Sequence, residues 1–154
     1  MRKLAPILFI AIILGSCGPK AIYSKSINLN GAWTYPEQLI TTIDIADTIQ
    51  KYDLVATIDH GEDFGYENLY LQITTIFPDG EKRSSPLSLE LANSKGFWNG
   101  KCSGNACTLS FNLQEDFRFK EPGSYSFEIE QFSRKDTLKG LNEMTLSLYE
   151  VEAE

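Results

Sequence analysis

The chain has 154 residues, of which 42% are hydrophobic and 12% aromatic, and this length is typical of a single folded domain. It carries 14 Lys and Arg against 21 Asp and Glu, giving a net charge of −7. Such an acidic protein is repelled by a phosphate backbone, which argues against nucleic acid as a partner.

The first 16 residues have the pattern of a secretory signal peptide. Arg2 and Lys3 precede an apolar run from Leu4 to Leu14, and small residues follow it. This run is too short for the roughly 20 residues of a membrane-spanning helix. We therefore predict that residues 1–16 form a signal peptide and that the rest of the chain lies outside the cytoplasm.

The sequence Leu14-Gly15-Ser16-Cys17 is typical of a bacterial lipobox. In such a sequence Cys17 is lipidated on its sulfur and becomes the mature N-terminus. Each buried methylene of the acyl chains adds about 0.8 kcal/mol to membrane attachment. The alternative is an ordinary signal peptide with a chance cysteine. We predict a lipidated N-terminus and tether over residues 17–30 and a folded domain over residues 31–154.

Beyond the tether, apolar and polar residues mostly alternate with a period of two, which is typical of half-buried strands. Seven or eight short strands are separated by turns such as Pro78-Asp79-Gly80. This pattern predicts an all-β protein, a single antiparallel β-sandwich of jelly-roll-like type. Short helical turns are expected within residues 38–50, 91–94 and 135–141.

The three cysteines form an even pair once Cys17 is assigned to lipid. Cys102 and Cys107 flank the turn-rich sequence Ser-Gly-Asn-Ala. Disulfides form outside the cytoplasm, so we predict a Cys102–Cys107 bond that closes a hairpin loop. A redox pair or a metal site is the alternative. A redox site usually has a closer Cys-x-x-Cys spacing, and a metal site needs more ligands.

Two polar residues stand out against this pattern. His60 lies among Asp59, Glu62 and Asp63, and we expect it at a solvated hairpin tip. The alternatives are a general base with a carboxylate partner, or carboxylates that bind calcium. Gln131 shares the phase of the inward residues before it, so we expect it to make structural hydrogen bonds, with a binding role as the alternative.

Aromatic residues are the other candidates for a binding site, since they stack on sugars and make large, rigid contacts with proteins. We expect Trp33, Tyr70 and Trp98 to be the leading candidates, and packing in the core or at its rim is the alternative. The wider set includes Tyr35, Tyr66 and Phe97. No residue pattern identifies a catalytic site, a resident metal or a cofactor.

Several short segments together resemble the GldH family of gliding-motility lipoproteins from the Bacteroidetes. The similarity covers nearly the whole mature chain and rests on the order and spacing of the segments. Besides Cys17 and Tyr23, the segments are Gly-Ala-Trp at 31–33, Lys-Tyr-Asp-Leu at 51–54, residues 66–71, the turn at 78–80, Leu-Ala at 91–92, Gly-Phe-Trp-Asn-Gly at 96–100, residues 123–131 and Leu-Lys-Gly-Leu at 138–141.

The resemblance implies a lipoprotein of the cell envelope that is required for gliding and accompanies other gliding-motility envelope proteins and the type IX secretion machinery. It implies no enzymatic activity and no cofactor. We therefore expect a non-enzymatic scaffold or assembly component, held to the membrane through lipid on Cys17. The alternatives are a glycan-binding β-sandwich lipoprotein and a hydrolase that uses His60. The resemblance also implies a location: in the Bacteroidetes an acidic stretch after the lipidated cysteine tends to mark surface display. Gly18-Pro19-Lys20 is not acidic, so we expect the outer membrane, facing the periplasm.

Overall fold

The computed structural model describes residues 20–152, so the predicted signal peptide and Cys17 lie outside the described residues. Every element in this range is a strand. The strands are β1 (Ala21–Asn28), β2 (Ala32–Thr34), β3 (Gln38–Ile45), β4 (Tyr52–Gly61), β5 (Asn68–Ile76), β6 (Lys82–Glu90), β7 (Lys101–Ser103), β8 (Ala106–Phe117), β9 (Gly123–Gln131), β10 (Thr137–Lys139) and β11 (Leu141–Glu150).

The strands form an antiparallel β-sandwich, as predicted. The first sheet has the order β1-β11-β4-β8-β7 and the second β3-β9-β5-β6, while β2 and β10 form a separate ribbon. The expected helical turns are wrong: residues 38–45 alternate inward and outward as β3, and the other two stretches are turns, a bridge and β10. Residues 20–152 therefore contain no helix that could span a membrane.

Alternation along the central strands builds the core. On β4, Leu54, Ala56 and Ile58 are buried, while the residues between them are half-buried on the outer face. The second sheet supplies the facing layer, with Leu71 and Ile129 fully buried. Because the apolar faces of both sheets are covered only when they stack, burial of this surface drives the sandwich to form. All of these elements lie after Lys20, so residues 18–154 contain every strand that the structure describes.

The predicted tether is wrong for most of its length, because residues 21–28 form β1 and pair with β11 at the edge of the first sheet. The hydroxyl of Ser26 bonds that of Thr145 at 2.7 Å across this pair. Tyr23 and Thr41 also share a hydrogen bond through their hydroxyls, which joins β1 to β3 of the second sheet. The sandwich is thus closed along this side.

Strand register defines two ends of the sandwich. At the N-terminal end, the start of β1 lies beside Tyr149, Tyr149 beside Asp53, and Tyr52 beside Phe117. At the distal end, Leu141 lies beside His60. The nine residue steps of β4 between these ends span about 30 Å at roughly 3.3 Å per residue. Any anchor that precedes Ala21 is therefore attached at the N-terminal end.

The loop between β3 and β4 forms part of the N-terminal end. The carboxylate of Asp47 accepts hydrogen bonds from the amides of Ile49 at 2.7 Å and Gln50 at 3.1 Å. The amides of Gln50 and Ile49 stabilise the charged form and lower the pKa of Asp47. Burial, with the nearby charges of Asp47 and Glu150, raises the pKa of Tyr52. Ile49 projects from this ordered loop and is 82% exposed.

The Cys102–Cys107 disulfide is present, as predicted. The two residues lie opposite each other in the β7–β8 hairpin, and Gly104 in its turn adopts a φ of 60°. Gly80, in the predicted turn between β5 and β6, has a φ of 87°. Glycine suits both turns because a side chain disfavours positive φ. The disulfide thus closes a hairpin at the margin of the first sheet.

Replacing both cysteines, Cys102→Ser with Cys107→Ser, is expected to lower the free energy of unfolding by about 2 kcal/mol, because the short loop is no longer closed in the unfolded chain. Urea unfolding of residues 18–154, followed by tryptophan fluorescence, measures this change. A reductant should produce a similar loss in the unaltered protein and none in the double variant. Equal stability of both proteins under oxidising conditions would contradict the prediction.

Candidate functional site

All five exposed aromatic side chains of the described residues lie at the distal end or on strand segments that lead to it. They come from four segments that are separate in the sequence: the stretch after β2, the β4–β5 connection with the start of β5, the β6–β7 connection, and the residue after β9. These residues are Tyr35, Tyr66, Tyr70, Phe97 and Phe132. We refer to this set as the distal aromatic surface.

Phe64 fixes the β4–β5 connection that carries Tyr66. Its ring is buried and lies 5.6 Å from the Tyr66 ring, and its amide donates to the Gly61 carbonyl at 3.1 Å. Gly140 packs against the Phe64 backbone so closely that a Cβ there would lie 2.8 Å from it. With a φ of 86° as well, this position requires glycine. The connection is therefore held against the β10–β11 turn.

The β6–β7 connection presents Phe97 to solvent and turns Trp98 inward. The side-chain oxygen of Asn93 accepts hydrogen bonds from the amides of Lys95 and Phe97 at 2.9 and 3.1 Å. A bridge between Ala92 and Trp98 then closes the loop. Trp98 is half-buried, whereas Phe97 is 67% exposed. A local hydrogen-bonded loop thus holds a large apolar ring in water, where a monomeric protein gains nothing from it.

His60 is fully buried, so its expected position at a solvated hairpin tip is wrong. It continues the inward phase of β4, and its ring lies 4.6 Å from that of Trp98 and 5.8 Å from that of Phe64. Nδ1 donates to the Gly61 carbonyl at 3.0 Å, while Nε2 has no partner among the described residues. Since neither nitrogen is oriented by a carboxylate in residues 20–152, the general-base arrangement is not formed there.

The three leading aromatic candidates do not form one site. Trp33 is fully buried and its indole donates to the Glu37 carbonyl at 2.7 Å, so it is a core residue and its proposed binding role is wrong. Trp98 is half-buried and packs against His60 and Phe64, so it belongs to the inner side of the distal loops. Tyr70 is exposed on the outer face of the second sheet, and its carbonyl accepts from the Phe132 amide at 2.7 Å.

Phe132 is exposed but was not among the aromatic binding candidates, although the sequence before it indicated its exposure. Gln131 is buried, as its phase predicts, with its side-chain nitrogen donating to the Lys135 carbonyl at 2.9 Å. Its side-chain oxygen accepts from the amide and hydroxyl of Ser133 at 3.0 and 2.8 Å. These bonds order the loop after β9. The residue between Gln131 and Ser133 must therefore face outward, which places Phe132 in solvent.

The distal aromatic surface presents large apolar and aromatic groups to solvent. Its members offer rings and phenol groups, and exposed carboxylates of Glu62, Asp63 and Glu67 lie in the adjoining loop. Among residues 20–152, no group of three or more His, Cys, Asp or Glu side chains could hold a metal ion. A partner that covers these rings would gain apolar burial, and aromatic residues are the kind that dominate binding energy at protein interfaces.

Two solved structures that match this chain in a structural comparison have low similarity to it in both structure and sequence. A 4-O-methyl-α-glucuronidase with specificity for decorated arabinogalactans aligns over 99% of this chain and 20% of its own, with 13% identity and a TM-score of 0.44. A carbohydrate-binding module from Ruminococcus flavefaciens aligns over 81% and 97%, with 12% identity and a TM-score of 0.40. Similarities at this level say nothing about function.

Sequence similarity to two gliding motility lipoproteins is higher than to these solved structures. A gliding motility lipoprotein GldH homolog from Christiangramia forsetii is 28% identical over 138 residues, which covers 89% of this chain and 85% of that protein. The gliding motility lipoprotein GldH of Flavobacterium johnsoniae is 25% identical over 129 residues, covering 84% and 80%. The family model for GldH lipoproteins matches residues 21–148, from β1 to β11. The chain therefore belongs to the GldH lipoprotein family.

Proposed function

We propose that this gliding motility lipoprotein is a non-enzymatic scaffold or assembly component that works with the gliding and type IX secretion machinery. In this proposal, lipid on Cys17 holds the N-terminal end of the sandwich at a membrane. The distal aromatic surface then binds another gliding-motility envelope protein. The observation that carries the proposal is the placement of every exposed aromatic side chain of the described residues at or next to the end opposite the anchor.

Membership of the GldH family supports a lipid-anchored protein of the cell envelope with a part in gliding motility. The proposed scaffold or assembly role is argued from the geometry of the domain. Only residues 18–20 separate Cys17 from the start of β1. Four residue steps extend at most about 14 Å, so the N-terminal end stays close to the bilayer. Ile49, exposed at this end, is suited to touch it.

The distance between the two ends supports binding of a protein rather than of lipid by the aromatic rings. The distal aromatic surface lies about 30 Å from the N-terminal end, which is beyond the headgroup region of the membrane that holds the anchor. A neighbouring envelope protein can reach it there. Trp98 and Phe64 support the surface loops from within the core, so the rings are presented on an ordered base, which reduces the entropy lost on binding.

A non-enzymatic role is supported by the packing of the one histidine. His60 lies beneath Trp98 and Phe64 and is fully buried. Its ring packs between Phe64 of the β4–β5 connection and Trp98 of the β6–β7 connection, so a substrate could reach it only if these two connections separated. We further propose that the anchor lies in the outer membrane and that the domain faces the periplasm, since the acidic stretch that tends to mark surface display in the Bacteroidetes is absent from Gly18-Pro19-Lys20.

Glycan binding is the second candidate function, and the exposure of Tyr66, Tyr70 and Phe97 favours it. Each ring offers an apolar face on which a sugar could stack. The three side chains lie in different connections and strands, so they suit an extended chain better than a single sugar. We rank this function below protein binding because none of the three clefts found on the described surface is lined by Tyr66, Tyr70 or Phe97.

Cys17→Ser is expected to abolish lipidation and to release the protein from the membrane, because the acyl chains on this residue are the proposed attachment and residues 20–152 contain no helix that could cross a bilayer. Fractionation of cells, with mass spectrometry of the mature N-terminus, measures both effects. Cys102→Ser should leave membrane attachment unchanged and serves as the control. A Cys17→Ser protein that is still exported and firmly membrane-bound would refute the anchor.

Replacing Tyr66 and Phe97 by serine is expected to reduce crosslinking to envelope proteins in living cells at least tenfold, since two exposed rings at an interface carry much of its binding energy. Photo-crosslinkers placed at residue 95 report the contact. Ile40→Ser, at an exposed apolar position on the outer face of β3, is the matched control and should change nothing. If the double variant crosslinks as before, the distal aromatic surface is not the binding site.

The same double variant separates the two candidate functions. Under the protein-binding proposal, soluble residues 18–154 show no change in tryptophan fluorescence with a panel of envelope glycans. A saturable change that is lost in Trp98→Ala and in the Tyr66 and Phe97 double variant would instead favour glycan binding.

A further inference from the structure

A cleft of about 350 Å³ opens between the two sheets on the side opposite the β1–β3 contact. It lies between the edge strand β6 of the second sheet and β8 of the first. Its floor is formed by Leu54, Tyr125 and Phe127, which are buried, and its walls include half-buried Leu87 and Leu113. The volume is within the range of small-molecule sites, and most of the lining is apolar.

The cleft exists because the sandwich is not closed along this side. β7 covers β8 only at residues 106–108, so the rest of β8 has a free edge. On β6, the inward phase changes from Leu89 and Leu87 to Ser85 and Arg83 toward the N-terminal end. The apolar inward face of β6 therefore ends at Leu87, although the strand continues to Lys82. Inward side chains of β8 opposite this part, such as Leu113, remain partly exposed.

Cationic side chains surround the mouth of this cleft. Arg83, Arg118 and Lys120 line it, and no carboxylate does so. Arg83 pairs with Glu81 at 3.0 Å, and the Arg118 side chain donates to the Ile49 carbonyl at 2.7 Å. Lys120 has no ion pair among the described residues. Arg83 and Lys120 also border a neighbouring cleft with Asp79, Glu81 and Glu121, but these carboxylates are not part of the lining of the apolar cleft. Its own lining is cationic, which favours an anionic group over a neutral one at the mouth.

We propose that this cleft binds a single acyl chain with an anionic head, of the fatty-acid type. The hydrocarbon lies over Leu54 and Phe127, and the carboxylate meets the Arg83, Arg118 and Lys120 side chains at the mouth through charge-assisted hydrogen bonds. At about 30 Å³ for each water-sized group, the volume accommodates roughly a dozen methylene-sized groups. One chain fits this space, and two chains do not.

The strand edges beside the cleft argue against a peptide as its occupant. A peptide would add to the free edge of β6 or β8 through backbone hydrogen bonds. Pro86 in the middle of β6 lacks an amide hydrogen. On β8, the register shifts opposite Leu54, and Asp116 has a φ of 52°. Proline and irregular backbone are features that protect an edge from pairing.

The position of the cleft indicates where its ligand comes from. Phe117, Arg118 and Lys120 lie at the N-terminal end, and Phe117 pairs with Tyr52 at the start of β4. This is the end at which β1 begins and at which an anchor preceding Ala21 is attached. The nearness of the mouth to the membrane rests on the proposed anchor at Cys17, which would hold it near the bilayer surface and its acyl chains. The acyl groups on Cys17 carry no anionic head, so the cations do not favour them.

Calorimetric titration of residues 18–154 with octanoate, decanoate and dodecanoate, each below its micellar concentration, tests this site. The dissociation constant should fall about fourfold for each added methylene, because each one buried removes apolar surface from water. Dodecanol, which lacks the charge, should bind three- to tenfold more weakly than dodecanoate. Replacing Arg83 and Lys120 by glutamine should remove this difference, whereas Lys82→Gln, on the other face of β6, should not.

Two neighbouring serines provide a matched pair of variants. Ser85→Trp places a large ring in the cleft and should reduce dodecanoate binding at least tenfold. Ser84→Trp changes the adjacent residue, whose hydroxyl bonds that of Thr74 on the outer face, and should leave binding unchanged. If Ser85→Trp does not fold, the chain-length series and the glutamine variants still decide the matter.

Several results would overturn the proposal. They are absence of binding by every acid tested, a dissociation constant that does not change with chain length, or dodecanol binding as tightly as dodecanoate. Loss of dodecanoate binding in the lipidated protein, reconstituted in nanodiscs, would show that the chain's own anchor occupies the cleft. Displacement of dodecanoate by extended acidic peptides would identify a peptide as the ligand.

Discussion

The pairing of β1 with β11 is the constraint on which the rest of this molecule depends. It places the start of the domain at the edge of the first sheet, beside Tyr149 and at one end of the sandwich. Because β11 also pairs with β4, the same register determines which residues lie at the opposite end. A slip of one residue in β1 would turn its half-buried side chains outward. With the proposed anchor at Cys17, the orientation of the domain relative to its membrane would be set by this one edge strand.

The two ends and the two sides of the sandwich then differ in chemistry. The side with β1 and β3 is closed by the Tyr23–Thr41 hydrogen bond, and the side with β6 and β8 stays open as an apolar cleft. Rings exposed to solvent gather toward the distal end, where His60, Phe64 and Trp98 pack below them. This difference between the two ends is what the proposed function requires, with the membrane at one end and a protein partner at the other. Both differences follow from where apolar side chains stand. The cleft is open where the inward positions of β6 are Ser85 and Arg83, and the rings are exposed where outward positions near the distal end are aromatic.

Local pattern was sufficient to predict the sandwich, the Cys102–Cys107 bond and the buried position of Gln131. It failed where packing overrides composition. The serines of β1 concealed an edge strand, since their hydroxyls pair with those of β11 instead of marking a loop. His60 was assigned to solvent because of its acidic neighbours, although it continues the inward phase of Leu54, Ala56 and Ile58. The open cleft was not predictable, because it depends on which edges of two sheets face each other, and no short stretch of sequence contains that information.

The orientation of the domain at the membrane can be measured directly. A fluorophore is attached to Ile49→Cys or to Phe97→Cys in the lipidated protein, which is then inserted into vesicles with quencher on the lipid headgroups. The account predicts strong quenching at residue 49 and little at residue 97, which lies about 30 Å farther along the strands. Equal quenching at both positions, or stronger quenching at residue 97, would contradict it.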